Sequence, residues 1–555
     1  MNKTKRIIIS AIITFVVVAI AFYVVLPPIN PQSIDFWGFV AFAAILFGVC
    51  NGLIDYKCNG SKGANKFKTK NKIKKDPFYV VVTVVAIIPI AVILIGNIIS
   101  STFFNAYEYS NIITVKDAVF EEDMPETDTV TNIALMDSES ATIIGNRKLG
   151  SLSHVVSQYE VASKYSQINY HGVPKKVANL EYVGFFKWFN NRENGVPGYV
   201  MVDPVNISAE YVEFSKPIKY VESAYFNEDL YRALRFKYPT KIFDNFSFEI
   251  DEAGNPYYIV ACSTPKIGLF GAYDISEVIR FDPCTGESEI TSVKDSPSWI
   301  DNVYTGALAS EKYDWHGMYA NGFWNSVIGN KDCKVTTDDF GYIMMEDDVC
   351  YFTGVTSVTS DESNIGFIIS NARTGEYKFY SIVGAEEYSA MESAQGEVQE
   401  KRYTASFPSL INVAGEATYI MVLKDDAGIV RLYALVNVEY YTVVATGETQ
   451  EDAKKAYIEK LKQEKIIEDE IEDDTSEEEV ATNNKTITVT DIRMPVIDGN
   501  TVVYITDENG EVYKQLLSDN ESLMLVTLGK KYTVEYFDTD VKQIKQIYSI
   551  TEFKE

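Results

Sequence analysis

Histidine is scarce in this 555-residue chain. His154, His171 and His316 are the three present, and none has a second histidine three or four positions away. A His-Glu-x-x-His pair, which would set two imidazoles on one helical face around zinc, is therefore missing. There is no Gly-x-Ser-x-Gly elbow and no Gly-x4-Gly-Lys loop, so neither a strained serine nucleophile nor a phosphate cradle is encoded locally. Ser263 to Lys266 fits Ser-x-x-Lys, but no Lys-Thr-Gly follows it. The Asp-to-Gly turns at Asp251, Asp425 and Asp507 read as hairpins rather than calcium loops. No motif points to a metal or a cofactor. Carboxylate pairs remain open as a chemistry, because they assemble from residues far apart in sequence.

Positive charge is also unevenly spread. Residues 1–104 carry 11 Lys and Arg against 3 Asp, a balance of +8, while the remainder carries 39 basic and 75 acidic side chains, a balance of −36. A body that acidic repels phosphate backbones and anionic headgroups, which argues against nucleic-acid binding. It reads as a solvated, soluble surface.

What the chain has in abundance is apolar sequence near its start. Ile7 to Leu26, Ile34 to Ile54 and Phe78 to Phe104 are each long enough to cross a ~30 Å hydrocarbon core at 1.5 Å per helical residue. The first is longer than a signal-peptide core and lacks a small-residue cleavage site, so it reads as a retained span. Pro27 to Ser33 has no Lys or Arg, whereas 56–77 has eight lysines. The positive-inside rule then predicts a cytoplasmic N-terminus and lysine loop, with residues 105–555 extracytoplasmic at the cell membrane.

The expected organisation is a three-span anchor (1–104), a stalk (105–136), two extracytoplasmic α+β units (137–300 and 301–466), an acidic linker (467–484) and a small all-β domain (485–555). The fold class is membrane-anchored α+β, with a β-rich body of antiparallel sheets and a few helices. Hairpin signals stand at Asp251 to Asn255 and Asp425 to Gly428. Helix faces stand at Leu230, Ala233 and Leu234 with Asn227 as cap, at Ala390 to Val398, and at Ala453 to Leu461 behind Thr449. Helix then sheet recurs twice, with Tyr258, Gly268, Tyr273 and Thr285-Gly-Glu aligned on Tyr419, Gly428, Tyr433 and Thr446-Gly-Glu. Alternating residues such as Ile487 and Val489, with turns at Asp498-Gly499 and Asp507 to Gly510, predict a small β-barrel at the C-terminus.

The order helix, strand, Asp282 to Glu287 turn (Asp-Pro-Cys-Thr-Gly-Glu), strand resembles the PepSY and cystatin-like modules of bacterial envelope proteins. The C-terminal segment is similar to OB-type barrels. The first resemblance implies binding or regulation in the envelope and brings no catalytic residues with it.

Two residue sets are candidate sites. Cys262, Cys284, Cys333 and Cys350 are an even number in a compartment that permits disulfides, and they read either as two bridges or as four buried thiols. The stretch 313–325 places Tyr313, Trp315, His316, Tyr319 and Trp324 close together, rings suited to stacking on sugars or peptide side chains. The same rings would also pack an irregular core segment. Phe185 to Phe189 reads as core. The leading functional expectation is a non-enzymatic envelope protein that binds a cell-wall polymer or another membrane protein. A wall-polymer hydrolase or transferase with an unidentified carboxylate site, and an accessory or sensory subunit of a membrane complex, are the alternatives.

Overall fold

Uncharged runs of this length become helices in lipid because every backbone N–H and C=O must be paired within its own segment. In a computed structural model of the chain they form α1 Lys3–Val25, α2 Ile34–Gly63 and α3 Pro77–Ile99, all long and apolar enough to cross a membrane. Arg6 near the start of α1 pairs with Asp55 near the end of α2, so the two run antiparallel. The structure describes residues 3–63, 77–127, 135–136, 138–337, 339–345, 347–358, 360–467, 483–497, 500–517, 520–538 and 544–553. Most of the lysine loop, the acidic linker and the Asp498-Gly499 turn lie outside the described residues.

The segment expected as a stalk is instead built into the body. α4 Thr102–Ser110, β1 Val115–Ala118 and the single turn α5 Phe120–Asp123 follow the third span. β1 pairs in parallel with the strand Tyr377–Tyr380, and Thr127 N donates to the Asn412 carbonyl.

Four successive helix-and-meander units follow among the described residues, twice the recurrence expected from the sequence. The first is α6 Ser138–Gly150, α7 Ser153–Val156, β2 Tyr159–Val161, β3 Ser166–Tyr170, β4 Val173–Tyr182, α8 Phe185–Asn191, β5 Val196–Asp203 and β6 Ser208–Ile218. The second is α9 Leu230–Lys237, β7 Ile242–Ile250, β8 Pro256–Ile267, β9 Gly271–Phe281 and β10 Ser288–Ser292. The third is α10 Gly306–Tyr319, β11 Lys334–Thr336, β12 Gly341–Met345, β13 Asp348–Ser357, β14 Ser360–Asn371, β15 Tyr377–Tyr380 and the edge piece β16 Gly384–Ala385. The fourth is α11 Glu387–Glu397, β17 Thr404–Ala405, β18 Ser409–Val413, β19 Glu416–Lys424, β20 Val430–Asn437 and β21 Val444–Gly447, closed by α12 Gln450–Gln463.

In each unit the strands form an antiparallel meander in chain order. In three of them the first strand is broken, and both pieces pair with the second: β2 and β3 on β4, β11 and β12 on β13, β17 and β18 on β19. The turn after the third strand is built alike in the first three units. Asp203, Asp282 and Asn371 each accept two backbone N–H groups with one side-chain oxygen, and Asn437 accepts one from Tyr440 N at the same place in the fourth. The counterpart of Thr285-Gly-Glu is therefore Thr374-Gly-Glu; Thr446-Gly-Glu falls one strand later.

The units pair through shared cores. β8 shows why: Tyr258, Val260 and Cys262 point into a core common to the first two sheets, while Ile259 and Ala261 point into a second core against the segment Ile300 to Leu308. β19 does the same, with Tyr419, Met421 and Leu423 toward the third sheet and Ile420 and Val422 toward Ala453, Tyr457 and Leu461 of α12. Side chains alternate with period two, so a strand buried on both faces reads as an unbroken apolar run. Thr449 caps α12 as expected; α9 is capped by Asp229, not Asn227, because residues 226–228 form a 3-10 turn ahead of it.

The body is tied to one end each of two spans, the C-terminal ends of α1 and α3. Arg235, 1% exposed, donates to the carbonyls of Leu26 (3.0 Å) and Lys241 (2.5 Å) and to Tyr231 Oη (3.1 Å), with its guanidinium over the Phe243 ring. It thus sits where α1 and α9 both end, at the negative poles of two helix dipoles. Ile29 N donates to the Pro239 carbonyl at 2.6 Å. At α3, Ser100 Oγ accepts from Leu269 N (2.8 Å) and Phe270 N (3.0 Å), and a Cβ on Gly96 would collide with the Phe270 ring.

Residues 468–555 form a separate unit. Its strands are β22 Asn483–Arg493, β23 Val496–Ile497, β24 Asn500–Asp507, β25 Val512–Leu516, β26 Lys531–Asp538 and β27 Ile544–Glu552. β22 pairs with both β24 and β26, closing a five-stranded barrel of order β22-β26-β27-β25-β24 with β23 appended. Ile487, Val489, Val503, Ile505 and Tyr513 fill it. Buried Asp507 is paired with Lys485 at 2.8 Å; burial pushes its carboxyl up, but that ammonium holds it below the usual range.

Candidate functional site: a polar cleft between the first two sheets

The β2–β3 loop, β4, the β6–α9 loop, β7 and β8 converge on a cleft of about 430 Å³. Lys164 reaches into it and donates to Asn245 Oδ1 (2.7 Å) and to the Phe246 carbonyl. Burial of the ammonium lowers its pKa, against the opposing pull of Glu222 and Asp244. Glu181 stands across the cleft. Burial raises its carboxyl pKa although Ser223 N (2.8 Å) and Asn179 Nδ2 (2.6 Å) donate to it. Tyr258 forms the floor; it is buried, and its hydroxyl has no protein partner among the described residues. A buried hydroxyl left without a partner is costly, and this one is closed to solvent beneath the cleft surface. One ammonium and three carboxyl groups, those of Glu160, Glu181 and Glu222, suit a small polar segment bearing both charge signs or several hydroxyls.

A second buried cluster lies where the segment after β10 meets β7. Glu249 is fully buried, and its carboxylate accepts from Asp301 N (2.9 Å), Asn302 N (3.0 Å), Asn302 Nδ2 (3.1 Å) and Ser247 Oγ (2.9 Å). Asp301 is buried beside it with one such donor, Asn169 N at 2.7 Å. Burial raises both carboxyls, and Glu249 raises that of Asp301 further, while the four donors oppose the rise at Glu249, so the proton of the pair rests on Asp301. Both carboxyls of this pair are closed to solvent. Asp348 is occupied by a bidentate contact from Arg373 (2.7 and 2.6 Å).

Of the residues singled out in 313–325, Tyr313, Trp315, His316 and Tyr319 lie on α10 and Trp324 stands just ahead of the π-helical turn Asn325–Gly329, not in an irregular segment. Tyr313 is buried. Trp315 and Tyr319 pack edge-on against Tyr109 of α4 at 5.2 and 6.2 Å, and His316 Nδ1 bonds the Ser110 carbonyl at 2.7 Å. These last three join α10 to the helix that leaves the third span. Trp324 alone of the five faces solvent. In α8 only Trp188 is buried, whereas Phe186 is 78% exposed, so the Phe185 to Phe189 cluster is not the core segment expected.

Cys262, Cys284, Cys333 and Cys350 are free thiols. Cys262 and Cys350 face apolar cores, and Cys284 Sγ and Cys333 Sγ donate to the carbonyls of Lys216 (3.2 Å) and Met318 (3.5 Å). Burial pushes the Cys262 and Cys284 thiols up to about 12, which leaves little thiolate to react. Unreduced protein unfolded in denaturant should therefore take six alkyl groups by mass, matching the six cysteines of the chain. In the native state Cys262, Cys333 and Cys350 should stay protected; a shortfall of two or four groups after unfolding would demonstrate disulfides. Of the histidines, His171 pairs on the surface with Glu252, and the His154 side chain lies outside the described residues. Among the described residues no three His, Cys, Asp or Glu are grouped to hold a metal ion.

The cleft escaped sequence reading because its residues come from five segments, and none stands in a recognisable spacing. Its one local signal is Lys164, an isolated lysine between short β runs. No family model matches the chain, and a search of curated proteins finds no match.

Proposed function

We propose that the protein is a non-enzymatic binding protein of the cell envelope, whose extracytoplasmic body takes a polar segment of a wall polymer or of another membrane protein into the cleft between its first two sheets. The facing of Lys164 with Glu181 and Glu222 in one cleft carries this reading. The helix-and-meander recurrence supports the resemblance to PepSY and cystatin-like modules, and the lysine asymmetry of the spans supports an extracytoplasmic body.

The reading is tested with the full chain in detergent, incubated with peptidoglycan, wall polymers and peptide libraries and assayed for both retention and product. Retention without turnover is expected. Glu222→Gln should weaken it roughly 3- to 10-fold with little change in melting temperature, because Glu222 lines the cleft and is exposed. Lys164→Met should weaken it further. Reproducible product formation, or undiminished binding by both variants, overturns the proposal.

A second reading, an accessory or sensory subunit, is favoured by the joint at Arg235 and Ser100. Movement of the body is transmitted to α1 and α3 through buried polar contacts rather than through a loose stalk.

A further inference from the structure

Two groups of exposed aromatic and aliphatic side chains flank the span exits. On one side, the sequence Phe-Phe-Lys-Trp-Phe of α8 turns Trp188 inward, where its Nε1 donates to Glu228 at 2.8 Å, and leaves Phe186 outward. On the other side, Trp324 is 63% and Ile328 76% exposed around the π-helical turn. Scattered exposed apolar residues are ordinary, but grouped ones mark a contact surface.

Both groups are continuous with the lipid-facing surface of the spans. Trp324 packs at 5.9 Å on Phe103, in the first turn after α3. α8 connects to α1 in two steps: Trp188 lies 5.7 Å from the Phe226 ring, and the Phe226 carbonyl accepts from Arg232, whose guanidinium covers the Tyr23 ring at 4.4 Å. Half-exposed Phe236, between these, packs on Phe22 of α1. The exposed guanidinium of Arg192 stacks over Phe189 at 4.5 Å, the amphipathic pairing that places a ring in the acyl boundary and a cation among phosphates.

We propose that this rim of the body is a lipid-contacting surface, seated in the leaflet from which α1 and α3 emerge, so that the body rests on the bilayer as well as hanging from it. Aromatic side chains at the height of span ends are the residues that partition to the membrane interface. Seating the rim ~5–10 Å into the headgroup and acyl boundary covers both groups at once, with α8 and the π-helical turn as the two feet. The occupant is lipid rather than a second copy of the chain, because the two groups extend the surface the spans already present to acyl chains. The charge at this foot is mixed rather than acidic: Lys187 is the charged side chain of α8, and Arg192 caps its end ahead of Glu193.

The test is spin labelling of the full chain in nanodiscs of phosphatidylcholine and phosphatidylglycerol, with Cys50, Cys58 and Cys284 changed to serine and Phe186→Cys or Ile328→Cys introduced. The control is Ala253→Cys. β7 and β8 meet the spans at one end, and Ala253 lies at the other, roughly 36 Å along a strand of this length. Labels at 186 and 328 are expected to be relaxed more by oxygen than by a water-soluble nickel chelate, with the order reversed at 253. A chelate-dominated response at 186 and 328 overturns the proposal, as does a response to neither relaxant, which signals a protein cover. A measurement independent of labelling is brominated-lipid quenching, which should fall when Trp324→Phe removes the fluorophore; unchanged quenching counts against lipid contact there.

Discussion

Arg235→Met will open the joint between the body and the first span without unfolding the sheets. The change removes a charged donor from the Leu26 and Lys241 carbonyls, beyond the ends of α1 and α9, and from the Tyr231 hydroxyl. Hydrogen bonds to a charged group are worth about 1.5–3 kcal/mol each, and methionine restores some packing on Phe243. A local loss of about 4 kcal/mol follows, close to a thousandfold in the opening equilibrium. The Ile29 amide, bonded to the Pro239 carbonyl, reports the event directly by hydrogen exchange. Arg235→Lys should fall between, since a single ammonium cannot span three acceptors set out for a planar fork. Unchanged Ile29 exchange in Arg235→Met would show that the joint is held elsewhere.

Asp301→Asn is expected to stabilise the body at alkaline pH and to flatten its pH dependence. Asp301 is held protonated in the folded state by burial and by the Glu249 carboxylate, whereas the unfolded chain releases that proton in the ordinary carboxyl range. Between those two values the folded state binds one proton more, so its stability falls as pH rises, by up to about 1.4 kcal/mol per unit. The wild-type melting temperature should therefore drop from about pH 5 to about pH 8. The variant, whose amide mimics the neutral acid and still accepts from Asn169 N, should lose the share of that slope due to Asp301, while Asp314 and Glu387, also raised by burial, keep theirs. Glu249→Gln is the contrast. Its amide nitrogen would face backbone and side-chain donors that now point at a carboxylate, so it should be destabilising throughout. An unaltered slope in Asp301→Asn would put the proton on another group.

These two sites were differently legible. The Arg235 joint lies on a helix whose apolar stripe, Leu230 and Leu234, is plain in the sequence, yet nothing local marks Arg235 as buried. An arginine at the end of an amphipathic helix reads as surface, and it is the approach of Leu26, some 200 residues earlier, that encloses it. The α10 helix was hidden for another reason. Trp, Tyr, His and Gly have modest to poor helix propensity, and the segment is helical because Trp315 and Tyr319 pack on α4. The fourfold recurrence was obscured by the broken first strands and by α8, inserted between β4 and β5, which disturb any fixed sequence period.

The sequence by itself determined the division into spans, β-rich body and C-terminal barrel, the hairpin turns at Asp251 and Asp425, and the buried face of α12. Each is a property of residues near one another in the chain: length of an uncharged run, period of apolar positions, or a turn that needs glycine. Tertiary structure decided which rings are core and which are rim, where a lysine, a carboxyl and an unpartnered hydroxyl meet in a cleft, and which of two buried acids keeps its proton. Those outcomes depend on burial and on the field of neighbouring charges, and both are set by segments that meet only when the chain has folded.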